Sequence, residues 1–124
     1  MAQRPEFTCS VKVQHLPEQS QDGGAQAFAY TITIVNSGDV TAQLVARHWV
    51  IVDAAGHSEE VRGLAVVGHQ PVLKPGEQFE YTSWTRIATP QGTMRGTFFC
   101  MTEDAYPFDA PVPEFMLAVP NALH

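Results

Sequence analysis

Residues 28–35 read Phe28-Ala29-Tyr30-Thr31-Ile32-Thr33-Ile34-Val35. Large apolar side chains recur at every second position, with small or hydroxylated residues between them. Successive residues of a β-strand point to opposite faces, so this alternation predicts a strand with one face buried. Asn36-Ser37-Gly38-Asp39 follows, and its short polar side chains and glycine suit a turn. Toward the N-terminus, Phe7, Cys9, Val11 and Val13 alternate with Thr8, Ser10, Lys12 and Gln14, which predicts a second strand. Gln19 to Gly24 between the two is polar and glycine-rich, and predicts a hairpin loop.

Toward the C-terminus, residues 43–53 are apolar on both faces, as in a central strand. Ala54-Ala55-Gly56 turns the chain, and a short strand around Ser58 to Arg62 pairs back. The pattern lapses between Gly63 and Gly76, where Pro75-Gly76 fits the centre of a type II turn. Phe79, Tyr81 and Ser83 alternate with Glu80, Thr82 and Trp84. Thr89 to Gly92 is a turn, and residues 93–101 form a further strand. Glu103 to Pro111 is a proline-containing loop, and Val112 to Val119 is the last strand. About seven strands with turn signals roughly every 8 to 12 residues predict an all-β sandwich. No window has a helical period, and scattered prolines oppose long helices.

The chain has 124 residues, which is one domain on size, spanning 1–124. Seven Lys and Arg stand against thirteen Asp and Glu, for a net charge of -6. That balance removes the electrostatic basis for binding nucleic acid or an anionic membrane. No apolar run follows Met1-Ala2-Gln3-Arg4, and none is long enough to span a bilayer, so a cytoplasmic location is expected. Cys9 and Cys100 lie far apart in strand-like runs, outside any CxxC pair, and read as two reduced, buried thiols, a disulfide being open only to neighbouring strands.

Candidate chemistry is sparse. No GxSxG elbow is present, and Cys100 between Phe99 and Met101 sits in apolar surroundings that make a thiol inert. His57, Glu59, Glu60 and His69 are the metal-ligand candidates, because imidazole and carboxylate together suit a divalent ion. His124 is a chain end. Gly63 to Gly68 is the candidate anion-binding loop, with Arg62 beside it, since amides in a tight turn can form an anion nest. Ala65 stands at its centre, and no helix-starting segment follows, as a dinucleotide loop would need. Trp84, Tyr106 and Phe108 fall near strand ends or in loops, and are the protein-contact candidates if exposed.

Taken in order, these pieces resemble the ApaG family, also called CorD. They are Tyr30 to Asn36; Val45-Ala46-Arg47-His48-Trp49; Asp53 to Gly56; Val61-Arg62-Gly63 with Val66-Val67-Gly68 and Gln70-Pro71; Pro75-Gly76-Glu77; Tyr81-Thr82-Ser83; Gly92 to Gly96; and Pro113 to Leu117. The resemblance implies an immunoglobulin-like, fibronectin type III-like sandwich in a bacterial cytoplasmic protein. It implies a link to cobalt tolerance and magnesium efflux, a use as a protein-interaction module, and no enzymatic reaction. In that family the loop usually reads Gly-x-Gly-Val-Val-Gly and has been likened to a pyrophosphate-binding motif. Here Gly63 and Gly68 match but Ala65 replaces the middle glycine; if the loop needs positive φ or close anion approach there, alanine should weaken it, which counts against nucleotide binding.

The expected molecule is therefore a non-enzymatic interaction module that needs no cofactor. Its partner is an unidentified protein, not nucleic acid or membrane, and it is itself a monomer or weak homodimer. The alternative is direct binding of a divalent cation or a pyrophosphate-bearing nucleotide through the Gly63–Gly68 loop.

Overall fold

In the computed structural model, which describes residues 3–21 and 24–120, the decisive stretch lies in the second of eight strands. They are β1 (Phe7–Leu16), β2 (Gln26–Asn36), β3 (Ala42–Asp53), β4 (Ser58–Leu64), β5 (Val72–Leu73), β6 (Gln78–Ile87), β7 (Gln91–Thr102) and β8 (Pro107–Ala118). The first sheet runs β1-β2-β6. The second runs β4-β3-β7-β8, with β5 pairing β3, and every pairing is antiparallel. Together they form an all-β immunoglobulin-like sandwich of the fibronectin type III kind. The only helical feature among the described residues is a short 3-10 turn at Pro17–Gln19.

The alternation in β2 does what period two requires. Phe28, Tyr30, Ile32 and Ile34 are buried against the second sheet, while Ala29, Thr31 and Thr33 face outward. Each fully buried Ile or Phe contributes about 2 kcal/mol, so this face alone outweighs any local preference. From the opposite sheet come Leu44, Trp49, Ile51, Met94, Phe98, Val112 and Leu117. Trp49 is the centrepiece. Its ring meets Phe98 edge-on at 5.7 Å and Tyr30 at 5.6 Å. Its cross-strand partner is Gly96, where a β-carbon would collide with the indole, so glycine is required.

Two departures from the sequence reading concern strands. The eighth strand is β5, two residues too short to show a period. The last strand begins at Pro107, not Val112. Only residues 103–106 turn, and Phe108 to Pro111 already pair with Thr97 to Cys100 of β7. Prolines at 107, 111 and 113 disguise the strand, and β8 tolerates them because it is an edge. In the β1–β2 connection, Asp22 and Gly23 lie outside the described residues. On either side of them the Gln26 amide donates to Gln21 O at 2.6 Å and Gly24 O at 3.0 Å.

Cys9 and Cys100 are both free and sit in different sheets. Burial pushes each thiol up to about 12. Burial likewise raises the hydroxyls of Tyr30 and Tyr81, so the interior offers no ready nucleophile.

Candidate functional site: the outer face of the five-stranded sheet and the loop at its rim

The loop between β4 and β5 is built on a bulge in β3. Register slips between Leu44 and Ala46, which leaves Val45 unpaired in the β3–β7 ladder. Its carbonyl accepts from Ala65 N at 2.8 Å and from the Gln70 side-chain amide at 3.0 Å. Leu44 N donates to Pro71 O at 3.1 Å, and the Gln43 amide to Gln70 O at 3.0 Å. Arg47 Nη1 donates to the carbonyls of Leu64 at 2.8 Å and Ala65 at 2.9 Å. Gly63 lies opposite Arg47, and a β-carbon there would press within 2.8 Å of the guanidinium. A larger residue there would push the guanidinium off its two carbonyl partners.

At the loop tip Val66 and His69 exchange hydrogen bonds of 2.8 Å each way, closing a two-residue turn over Val67 and Gly68. Both central residues have positive φ, 42° and 83°, as in a type I′ turn. Ala65 is also left-handed, at φ 67°. The position does require positive φ, and alanine occupies it. The strain costs about 1–2 kcal/mol, and several hydrogen bonds of about 1 kcal/mol each hold it in place.

This architecture bears directly on anion binding. The amides of Ala65, Val66 and His69 already donate to carbonyls within the protein, so they do not converge on an outside point. Arg62 lies on the outer face of β4, 3.9 Å from Glu60, beside a groove away from the loop tip. The loop is thus a clasp around Arg47, with three of its amides spent on holding its own shape.

The metal-ligand candidates are dispersed. His57 precedes β4 and is exposed, with Nδ1 3.4 Å from Asp53. Glu59 and Glu60 are neighbours on a strand and so point to opposite faces. Glu60 meets His48 Nε2 at 3.1 Å. His69 lies on the loop with its ring 5.7 Å from Phe79. No three His, Cys, Asp or Glu side chains among the described residues converge as a metal site would need. His124 lies outside the described residues. Asp53, at the start of the β3–β4 turn, is structural. Desolvation pushes its carboxyl up, but bonds from the amides of His57 and Ala55, at 2.9 Å each, and the nearby imidazole hold it below the usual carboxylate range.

The protein-contact candidates also separate. Trp84 is mid-strand in β6 and 60% exposed on the outer face of the three-stranded sheet. Tyr106 is exposed in the β7–β8 turn, at the other end of the molecule, beside Gln3 and Pro5. Phe108 is in neither a loop nor an exposed position. It lies in β8, half-buried, its ring edge-on to Phe7 at 5.4 Å. It packs with the core because β8 starts early enough to turn that side chain inward.

Sequence reading missed a broader surface. The outer face of the five-stranded sheet holds an open groove of about 560 Å³, lined by His48, Arg62, Leu64, Thr97, Phe99 and Asp109 among others. Leu64 is 72% exposed and Phe99 40% exposed. The signal was present in the alternation of β7, where Phe98 and Phe99 cannot both face inward. One of two adjacent aromatics had to be outside.

No helix of the described residues is long and apolar enough to cross a membrane. The model of the ApaG domain family matches residues 17–102. Protein ApaG of Ralstonia nicotianae is 62% identical over 98% of this chain and 98% of its own length. Protein ApaG of Nitrosospira multiformis is 54% identical over the whole of both. A crystal structure of an ApaA protein from Bordetella pertussis superposes with a TM-score of 0.91 at 49% identity, covering 94% of this chain and 96% of that one. The sandwich and these likenesses agree, and the chain belongs to the ApaG domain family.

Proposed function

We propose that this chain is a non-enzymatic protein-interaction module of the bacterial cytoplasm. Its bearing on cobalt tolerance and magnesium efflux then runs through a protein partner and not through an ion held by the domain itself. The observation that carries this reading is the outer face of the five-stranded sheet. Exposed Leu64 and Phe99 flank a groove with His48, Arg62 and Asp109 at its borders. Apolar side chains ringed by polar ones are the surface chemistry of a protein contact. Direct ligand binding through Gly63–Gly68 is the lesser reading, because the loop amides named above are already engaged.

The test is genetic and then physical. A strain lacking the gene is grown on cobalt and complemented with wild type, Leu64→Glu or Phe99→Arg. Both sites are solvent-facing, so both variants should fold with unchanged melting temperature. Wild type should restore growth and the variants should not. Restoration by both variants would remove this face from the function. Saturable NMR shifts on adding Co²⁺ or Mg²⁺ to the wild-type protein, confined to His57–Glu60, would instead establish ion binding by the domain.

A further inference from the structure

The sandwich has strand edges, and an edge with free backbone groups is a template for another strand. Most of these edges are blocked. β4 is only seven residues long, and its Glu60 is already engaged within the chain, 3.1 Å from His48 Nε2 and 3.9 Å from Arg62. β8 carries Pro107, Pro111 and Pro113, which have no amide to donate, and β1 packs alongside it. The remaining edge is β6. It is ten residues long, has no proline, and pairs only with β2 in an unbroken register. Among the described residues, no other backbone hydrogen bond reaches residues 78–87.

The sequence of β6 is complementary to itself. Alternate residues of a strand direct their N–H and C=O toward the free edge. Two copies related by a two-fold axis therefore pair residues of like parity. With the axis at Ser83, Glu80 of each copy lies opposite Arg86 of the other, and Thr82 lies opposite Trp84. On the inner side Phe79 lies opposite Ile87, and Tyr81 opposite Thr85. Shifting the axis to Thr82 sets Glu80 against Trp84. Shifting it to Trp84 sets Arg86 against Thr82. Among these three, only the Ser83 register sets Glu80 against Arg86 and Phe79 against Ile87 at both ends of the ladder. Glu80 is held upright by a 2.7 Å hydrogen bond from Thr33, and Arg86 lies 5.8 Å from the centre of the Trp84 ring. Both charges are exposed on the outer face that carries Trp84.

We infer that the β6 edge takes a second copy of this chain. The two form an antiparallel, two-fold pair centred on Ser83, which joins the three-stranded sheets into one sheet of six strands. Glu80–Arg86 contacts fix the register, and Trp84 is covered near the axis. Opposite charges directly across a strand pair stabilise it, and like charges oppose it.

Sedimentation over a concentration series up to millimolar tests this, with Trp84 fluorescence quenching as a second readout. Wild type should self-associate, and Trp84 should become less accessible as it does. E80R alone and R86E alone should each associate at least about tenfold more weakly, since each brings like charges face to face at both ends of the ladder. An equimolar mixture of the two variants should associate as wild type does, because every facing pair is then opposite in sign. A damaged fold cannot produce that recovery. Wild type that stays monomeric at millimolar concentration would overturn the inference and leave the edge to another protein's strand. So would self-association of both single variants equal to wild type, or a mixture that fails to recover.

Discussion

Ala65 is the residue at which this chain departs from its family's usual loop, and the departure is conformational. Its φ of 67° belongs to the region glycine occupies freely. Ala65→Gly should therefore relieve strain, offset in part by the greater freedom glycine has when unfolded. The net expectation is a gain of about 0.5–1 kcal/mol, read as a higher urea midpoint with unchanged slope. No gain would mean that the loop is not held in this conformation in solution. The thiols give a second residue-scale expectation. With Cys9 and Cys100 raised to about 12 by burial, native protein at pH 8 should resist iodoacetamide, and both should react once urea unfolds the chain. Spacing left open whether Cys9 and Cys100 could meet, and it is their placement in different sheets that keeps them apart. The positive φ at Ala65 was not legible in the sequence, because alanine does not advertise it and only the hydrogen bonds to Val45 and Arg47 impose it.

At the scale of elements, β3 and β7 do most of the positioning. Trp49 lies flat across Gly96. Gly96→Ala should force the indole off its seat and lower stability by about 3 kcal/mol, measurable by denaturant unfolding. A loss under 1 kcal/mol would mean the two strands can separate to admit a methyl group. The β3–β4 turn carries a charge-dependent term. Asp53 is held below its ordinary range in the folded state, so its contribution is present above the unfolded value near 4 and lost as pH falls through the lower folded value. Asp53→Asn keeps an acceptor for the turn amides but loses the charge. The variant should be less stable than wild type at pH 7 and converge with it in strong acid; an equal deficit at both extremes would assign the effect to packing. Strands with clean alternation, β1, β2 and β6, were legible from sequence. β8 was misplaced because its prolines imitate a loop, and β5 is shorter than any period. The loop from Gly63 to Gly68 was legible as a feature, but its role as a clasp depended on the bulge at Val45, and bulges leave no mark on composition.

At the scale of the whole molecule, the two tryptophans report inside and outside separately. Trp49 is 2% exposed and Trp84 60% exposed. Acrylamide should quench native dilute protein in two components, and Trp84→Phe should abolish the accessible one. A single shielded component in dilute wild type would place Trp84 under cover. The exposed groove around Phe99 could be inferred only in part from sequence, because two adjacent aromatics say that one is outside but not what surrounds it.

The prolines of β8 have a consequence beyond that edge. A building block with two open edges can extend a ladder without limit, while one with a single open edge can only end it. Among the described residues, the prolines of β8, the packing of β1 against it and the shortness of β4 leave β6 as the one long open edge, a valence of one for strand addition. Such a unit behaves like a monofunctional monomer in polymer chemistry. Pairing through that edge terminates growth at the first bond it makes, so the described edges give a crowded solution dimers and not fibres.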